Sequence, residues 1–259
     1  MENTIKLLDK QDYSKKELLE KMYDDNFYYG KLNELALSSS SIKLLVDSPK
    51  KYYYINKYGN KESQGLRDGT LLHTLVLEPE KFEEFHFVDV LSKNSKAYKE
   101  AKAEFGTVYT KKEKNDAERV ADAIFKNEMA MKMMTDCEFE VPVIGNVMGM
   151  PFRGKADILG KDRICDIKTT SDIKGFPYSA NKYGYDIQVF LYCNLFDIHY
   201  SNFKFLVVDK GSLDIGVWDV SEEFYQRGGQ KVSLGIDTFD SYFLKKNDDI
   251  NDYYIKGTL

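Results

Sequence analysis

Asp157 and Asp166, with Lys168 two residues further on, are the side chains of this sequence best spaced to do chemistry. Gly160-Lys161-Asp162-Arg163 is turn-like, and the runs on either side of it, Ala156-Asp157-Ile158 and Ile164-Cys165-Asp166-Ile167, read as short strands. A turn centred between Lys161 and Asp162 sets Asp157 directly across from Asp166. Directly opposed residues have Cβ atoms roughly 5 Å apart, where like charges destabilise the pair. Alternation along the strand puts Asp166 and Lys168 on one face, with Cys165, Ile167 and Thr169 on the other. Two carboxylates forced together beside a lysine need a cation or a shared proton. Oxygen-only ligands favour magnesium or manganese over zinc, and the simplest use of such a centre is to hold a divalent metal against a phosphodiester.

Other residues are spaced to complete the centre. Glu138-Phe139-Glu140-Val141-Pro142-Val143 alternates acid and apolar, as a strand with one buried face does. Either Glu138 or Glu140 can add a ligand or a water-orienting carboxylate. Tyr185 to Tyr192 reads as a helix on which Gln188 and Tyr192 share a face. Their amide and hydroxyl suit a phosphate or its attacking water; alternatively, Tyr192 packs in the core and Gln188 caps a strand edge. His73, inside the apolar run Leu71-Leu72-His73-Thr74-Leu75, reads by spacing alone as a core residue.

These segments together resemble the PD-(D/E)XK nuclease superfamily. Ala156-Asp157 stands at its PD element, with alanine replacing proline, and Asp166-Ile167-Lys168 at its (D/E)XK element. Gln188-x-x-x-Tyr192 is similar to the motif that follows the catalytic hairpin in the RecB-like and lambda-exonuclease-like branches. Leu37 to Leu45 with Ser48-Pro49-Lys50-Lys51-Tyr52 looks like the family's N-terminal serine-rich signature, and Asp68 to Pro79 looks like its histidine-bearing helix. From about Leu37 to about Val220, the combination resembles the exodeoxyribonuclease VIII (RecE-type) domain of phages and prophages.

The resemblance implies a metal-dependent exodeoxyribonuclease, using Mg2+ with Mn2+ as a substitute. Such an enzyme degrades linear double-stranded DNA from 5′ to 3′, releases 5′-phosphate products, and leaves 3′ tails for a single-strand annealing partner in recombination. Asp157, Asp166 and the backbone carbonyl of Ile167 would hold the metal, with His73 or Glu140 completing the set. Lys168 would position or help deprotonate the attacking water, and Gln188 and Tyr192 would orient the phosphate. Ser39 and Ser41, at a helix start whose free N–H groups suit a phosphate, join Lys50, Lys51 and Arg67 as DNA-binding candidates. Relatives often form rings that thread DNA, which implies a homo-oligomer. Some carry an iron-sulfur cluster whose first cysteine precedes the early proline; here that position is Ser48, so no iron-sulfur cluster is expected. A related endonuclease on the same fold, or a non-catalytic DNA-binding protein, are the rival readings.

The elements needed to position these residues follow from patterning. Residues 1–35 are polar and tyrosine-rich, and read as a peripheral helical element with a capping box at Ser14-Lys15-Lys16-Glu17. Residues 36–247 read as the nuclease domain and 248–259 as a loose tail. Residues 95–135 read as helices; strands are expected at about 138–145, 151–159 and 163–169, then a helix over 180–197. Two short strands and a long helix after Ser221 follow. Helices and then a mixed sheet with a crossing helix give an α/β class, a restriction-endonuclease-like mixed β-sheet flanked by helices.

At 259 residues, 42% hydrophobic and 31% charged, the chain suits one substantial core. No run approaches the roughly 18 apolar residues of a membrane span, and the N-terminus lacks a signal-peptide pattern, so a cytoplasmic protein is expected. Cys137, Cys165 and Cys193 are odd in number and widely spaced, which excludes a disulfide framework and a CxxC zinc pattern. The net charge of −5 is unevenly spread. Lysines gather at Lys50, Lys51, Lys57 and Lys61 and again from Lys93 to Lys114, as a basic channel or as the solvent face of helices.

Overall fold

The computed structural model describes residues 4–258, so the first three residues of the expected N-terminal element and the last residue of the tail lie outside it. The chain opens with an antiparallel hairpin, β1 (Thr4–Lys6) and β2 (Asp12–Ser14), where helix was expected. Ile5 and Leu7 are buried with Lys6 exposed between them, a period of two that suits a strand and not a helix. Helix α1 (Lys15–Lys21) follows, and the Ser14 side chain accepts from the Glu17 N–H at its start. A π-helical turn at Phe27–Lys31 leads into α2 (Leu32–Leu35).

The serine-rich segment forms α3 (Ser39–Asp47), and Ser48 then caps α4 (Pro49–Tyr58). The histidine-bearing helix is α5 (Gln64–Leu77), followed by the short α6 (Pro79–Phe82). Pro49 and Pro79 sit in first turns, where the missing N–H has no partner to lose. The lysine- and glutamate-rich region forms α7 (Lys96–Phe105), α8 (Lys111–Lys126) and α9 (Glu128–Met134). Within the stretch read as helical, β4 (Val108–Thr110) is instead a strand, pairing in parallel with β3 (His86–Val88) upstream of it.

The central sheet has the order β5 (Glu138–Val147), β6 (Met150–Leu159), β7 (Ile164–Thr170), β8 (Phe203–Asp209), β9 (Ile215–Asp219). All neighbours are antiparallel except β7 and β8. A parallel pair requires a crossover, supplied by α10 (Phe176–Lys182) and α11 (Tyr185–Phe196). The one helix expected over 180–197 is two, because Gly184 turns left-handed at φ +64 between them. The long α12 (Glu222–Phe239) begins just after Ser221, as expected, and the Ser221 side chain accepts from the Phe224 N–H at its start. This is the mixed α/β architecture expected.

Each face of the sheet has its own core. Phe152, Ala156, Ile164, Phe205 and Val207 pack on one side with Ile42 of α3, Ile187 and Leu191 of α11 and Val232 of α12. On the other, Ile158, Cys165, Ile167, Leu206 and Val208 meet Leu72 and Val76 of α5, Val120 and Ile124 of α8 and Ala130 of α9. Helix α11 is buried continuously from Asp186 to Cys193, so it is apolar nearly all round. Among the described residues, no helix is long and apolar enough to cross a membrane.

Helix α12 approaches α11 through Gly228, where an added Cβ would stand 2.1 Å from the Asp186 carbonyl oxygen. Gly228→Ala should therefore lower stability by about 1–3 kcal/mol or more. Gly69→Ala on α5, where no atom lies within 4 Å, should raise it by about 0.5–1 kcal/mol. Denaturant melts of the two variants compare them directly; equal effects would contradict the close packing of α11 on α12.

Candidate active site

The site forms where β6 and β7 part. Their ladder pairs Leu159 with Ile164 and Ile158 with Cys165, then ends, so the register carries on to set Asp157 opposite Asp166 without a ladder pair. The Ile167 N–H donates to Asp157 Oδ2 at 2.8 Å. A carboxylate thus stands where the neighbouring strand would otherwise have been.

Strand β5 adds Glu140, which lies across from Asp157 between the ladder pairs Phe139–Ile158 and Val141–Ala156. Its backbone is left-handed, φ +49, a costly conformation for glutamate that tends to persist at functional sites. Helix α5 adds His73. One donor atom from each of His73, Glu140 and Asp157 lies within 4.8 Å of the other two. His73 Nδ1 is 3.4 Å from Asp157 Oδ2, and its Nε2 is 2.8 Å from the Ile167 carbonyl oxygen. Two adjacent ligands of one octahedral magnesium, each at about 2.1 Å, stand about 3 Å apart, so this spacing suits a shared ion. Glu138 is exposed at the strand start and outside the cluster.

Asp166 is fully buried and also outside that cluster, facing α11 instead. Gln188 Nε2 donates to its Oδ1 at 2.6 Å. The Lys168 ammonium lies against Oδ2 but is not aligned to donate to it, which leaves a buried carboxylate oxygen without a hydrogen bond. The His73, Glu140 and Asp157 donor set, with a buried Asp166 oxygen nearby that meets the charge of Lys168 but takes no hydrogen bond, fits a divalent cation.

Electrostatics point the same way. Burial, with Asp157 and Glu78 adding their charge, pushes the Glu140 carboxyl up to about 8. Burial and Asp157 push Asp166 up to about 6 against the pull of Lys168. Burial works against the charge on Lys168, but Asp166 and Asp157 outweigh it and hold its pKa above the ordinary lysine value. Lys168 is therefore an ammonium, and its Nζ also sits 5.1 Å from the Tyr185 ring centroid.

Gln188 and Tyr192 share a face as expected, but both are buried and hold protein groups. Gln188 fixes Asp166, and the Tyr192 ring packs on Gly154, where an added Cβ would come within 2.7 Å of it. Orienting a phosphate is therefore not open to them directly.

The DNA-binding candidates do not converge on this centre. Arg67 is a correction: it is 5% exposed and donates to Glu113, Glu62 and the Val108 carbonyl, leaving little for a phosphate. Ser41 is buried in a reciprocal cap with Ser38. Ser39 is half-buried in the first turn of α3. Lys50 donates to the carbonyls of Asn251 and Tyr253, and Lys51 pairs with Asp47. The lysines of α7 and α8 mostly pair one turn away, as Lys96 does with Glu100 and Lys112 with Asp116. Sequence reasoning missed Tyr185 and Lys43, which meet beside Lys168. They come from different helices, and no local spacing signals their encounter.

A family model described as a PDDEXK-like domain of unknown function (DUF3799) matches residues 38–248. The chain belongs to this PDDEXK-like family. A solved structure of a candidate exonuclease from Eubacterium rectale is 16% identical, covers 91% of this chain and 95% of its own, and superposes with a TM-score of 0.65. That likeness establishes a shared nuclease-like fold. A phage-related exonuclease from Haemophilus somnus 129PT is 14% identical over 82% of this chain and 96% of its own, with a TM-score of 0.38. No curated protein sequence matches significantly.

In the metal-free PDDEXK-like domain, Glu140 and Asp166 bind protons more tightly folded than unfolded. Stability should then fall as pH rises from about 4.5 to about 8. Glu140→Gln should flatten that slope and raise stability at pH 8 by about 1–2 kcal/mol, with little change at pH 5. Thermal melts in EDTA at both pH values test this; identical pH profiles for the two proteins would contradict it.

Proposed function

We propose that this protein is a divalent-metal-dependent deoxyribonuclease that degrades linear double-stranded DNA from its ends. The observation that carries the reading is the convergence of His73, Glu140 and Asp157, with the Ile167 carbonyl against His73 and the buried Asp166–Lys168 pair alongside. Mg2+, with Mn2+ as a substitute, fits this oxygen-rich donor set, in which His73 is the single nitrogen donor. Bound there, the ion would polarise the scissile phosphate and acidify a water.

The residues divide the remaining work. Asp157 accepts from the Ile167 N–H and would also offer its carboxylate to the ion. Gln188 holds Asp166 in one orientation and so acts through it. Lys168, charged at neutral pH, offsets the negative charge that builds on the phosphate as the bond to the leaving oxygen breaks. His73 and Glu140 complete the donor set. The products carry a 5′-phosphate. Action from 5′ to 3′, a 3′ tail passed to a single-strand annealing protein, a homo-oligomeric ring and a cytoplasmic setting belong to this proposal through the RecE-type resemblance. The exonuclease names of the Eubacterium rectale and Haemophilus somnus proteins agree with end-dependent action.

Linear duplex DNA carrying one labelled 5′ end, incubated with magnesium beside a covalently closed circle, tests the proposal. Progressive release of nucleotides from the linear DNA alone, stopped by EDTA, is the expected result. Cutting of the circle would replace it with an endonuclease. Asp166→Ala should reduce cleavage by at least about a hundredfold while the protein remains folded by circular dichroism. Full activity in that variant would overturn the assignment of the centre.

A further inference from the structure

Lys43 projects from α3 toward the start of α11, and its Nζ stands 5.2 Å from the Tyr185 ring centroid. The Lys168 ammonium stands 5.1 Å from the same centroid. Two cations therefore share one aromatic ring at the edge of the carboxylate centre. Lys168 has Asp166 for company. Lys43, among the described residues, makes no ion pair and donates no hydrogen bond.

The acids that could have neutralised it are engaged elsewhere. Asp166 is held by Gln188 and Lys168. Asp186 is paired with Arg227 Nε at 2.8 Å and Lys231 Nζ at 2.7 Å, and its other oxygen accepts from the Ile187 N–H. Burial and the nearby Lys168 pull the Lys43 pKa down to about 8, while Asp166 and Asp186 support its charge. A half-buried ammonium facing a second lysine is a poor choice for stability alone. The stem, which lies against Gly184, would pack equally well without the charge.

We infer that Lys43 contacts a backbone phosphate of the DNA strand, gripping it on the Tyr185 side of the centre next to Lys168. The inference rests on the nuclease reading above and adds to it a strand contact supplied by the N-terminal half of the chain. Phosphate is the one anion that a DNA substrate delivers at this depth, and a lysine meets it as a point charge.

Fluorescence anisotropy of a short labelled duplex, with Ca2+ replacing Mg2+, measures binding by the full chain, Lys43→Met and Lys43→Arg across a salt series. Steady-state cleavage in Mg2+ accompanies it. Lys43→Met keeps the apolar stem and removes the charge. It should bind roughly tenfold more weakly near 0.1 M salt, with a log–log salt slope smaller by about one. Its KM should rise more than its kcat falls, and Lys43→Arg should stay close to the parent protein. If the parent cleaves DNA and Lys43→Met binds with unchanged affinity and slope, the Lys43 contact is wrong and the nuclease reading stands. Equal weakening in both variants with a lowered Tm would make Lys43 structural. If the parent neither binds nor cleaves DNA with Mg2+ or Mn2+, the nuclease reading fails and this contact fails with it.

Discussion

Carboxylates brought together inside a protein repel one another, and the surroundings of Asp157, Asp166 and Glu140 can be read as the response to that repulsion. The Ile167 N–H and the Gln188 amide each donate to an oxygen, and Lys168 brings a full positive charge. A second ring lies outside. Lys155 pairs with Asp25 at 2.8 Å, and Lys81 bridges Glu78 at 2.6 Å and Asp25 at 3.5 Å. That ring tempers the charge of Glu78, which otherwise bears on Glu140. The compensation is incomplete, since the Glu140 and Asp166 carboxyls both stay above the ordinary carboxylate range. A divalent cation is the natural remainder of the balance.

Positioning these groups takes most of the fold. Helix α5 delivers His73 only if its far end is anchored, and the buried Arg67 does that by tying α5 to Glu113 of α8 and to the Val108 carbonyl of β4. Helix α11 delivers Gln188 only if it sits deep against the sheet, which its apolar surface and the glycine contact with α12 permit. Strand β5 delivers Glu140 through a single left-handed residue that interrupts its pairing. The chemistry is thus drawn from elements far apart in the chain, converging where β6 and β7 separate.

The hairpin was the most legible part of the sequence. Turn residues and alternation set its register, and that register stands in the ladder of Ile158 with Cys165. The mixed sheet and the helix after Ser221 were legible for the same reason, because the signals are local. Arg67 was misread because its ion pair with Glu113 joins helices that no spacing rule connects. The hairpin at Thr4–Ser14 was missed because a polar composition outweighed the short alternation of Ile5 and Leu7. Gln188 was found as a residue, but its partner was not, since choosing between a phosphate and Asp166 needs the depth of α11 in the core.

The contact between Gly154 and Tyr192 ties two motifs that look independent on paper. A side chain at position 154 would run into the tyrosine ring, so the strand before Asp157 and the helix bearing Gln188 are fitted to each other at that point. Drift at one position is therefore constrained by what occupies the other. A lineage that trades the tyrosine for a smaller residue gains room for a side chain at 154, and after filling it loses the way back.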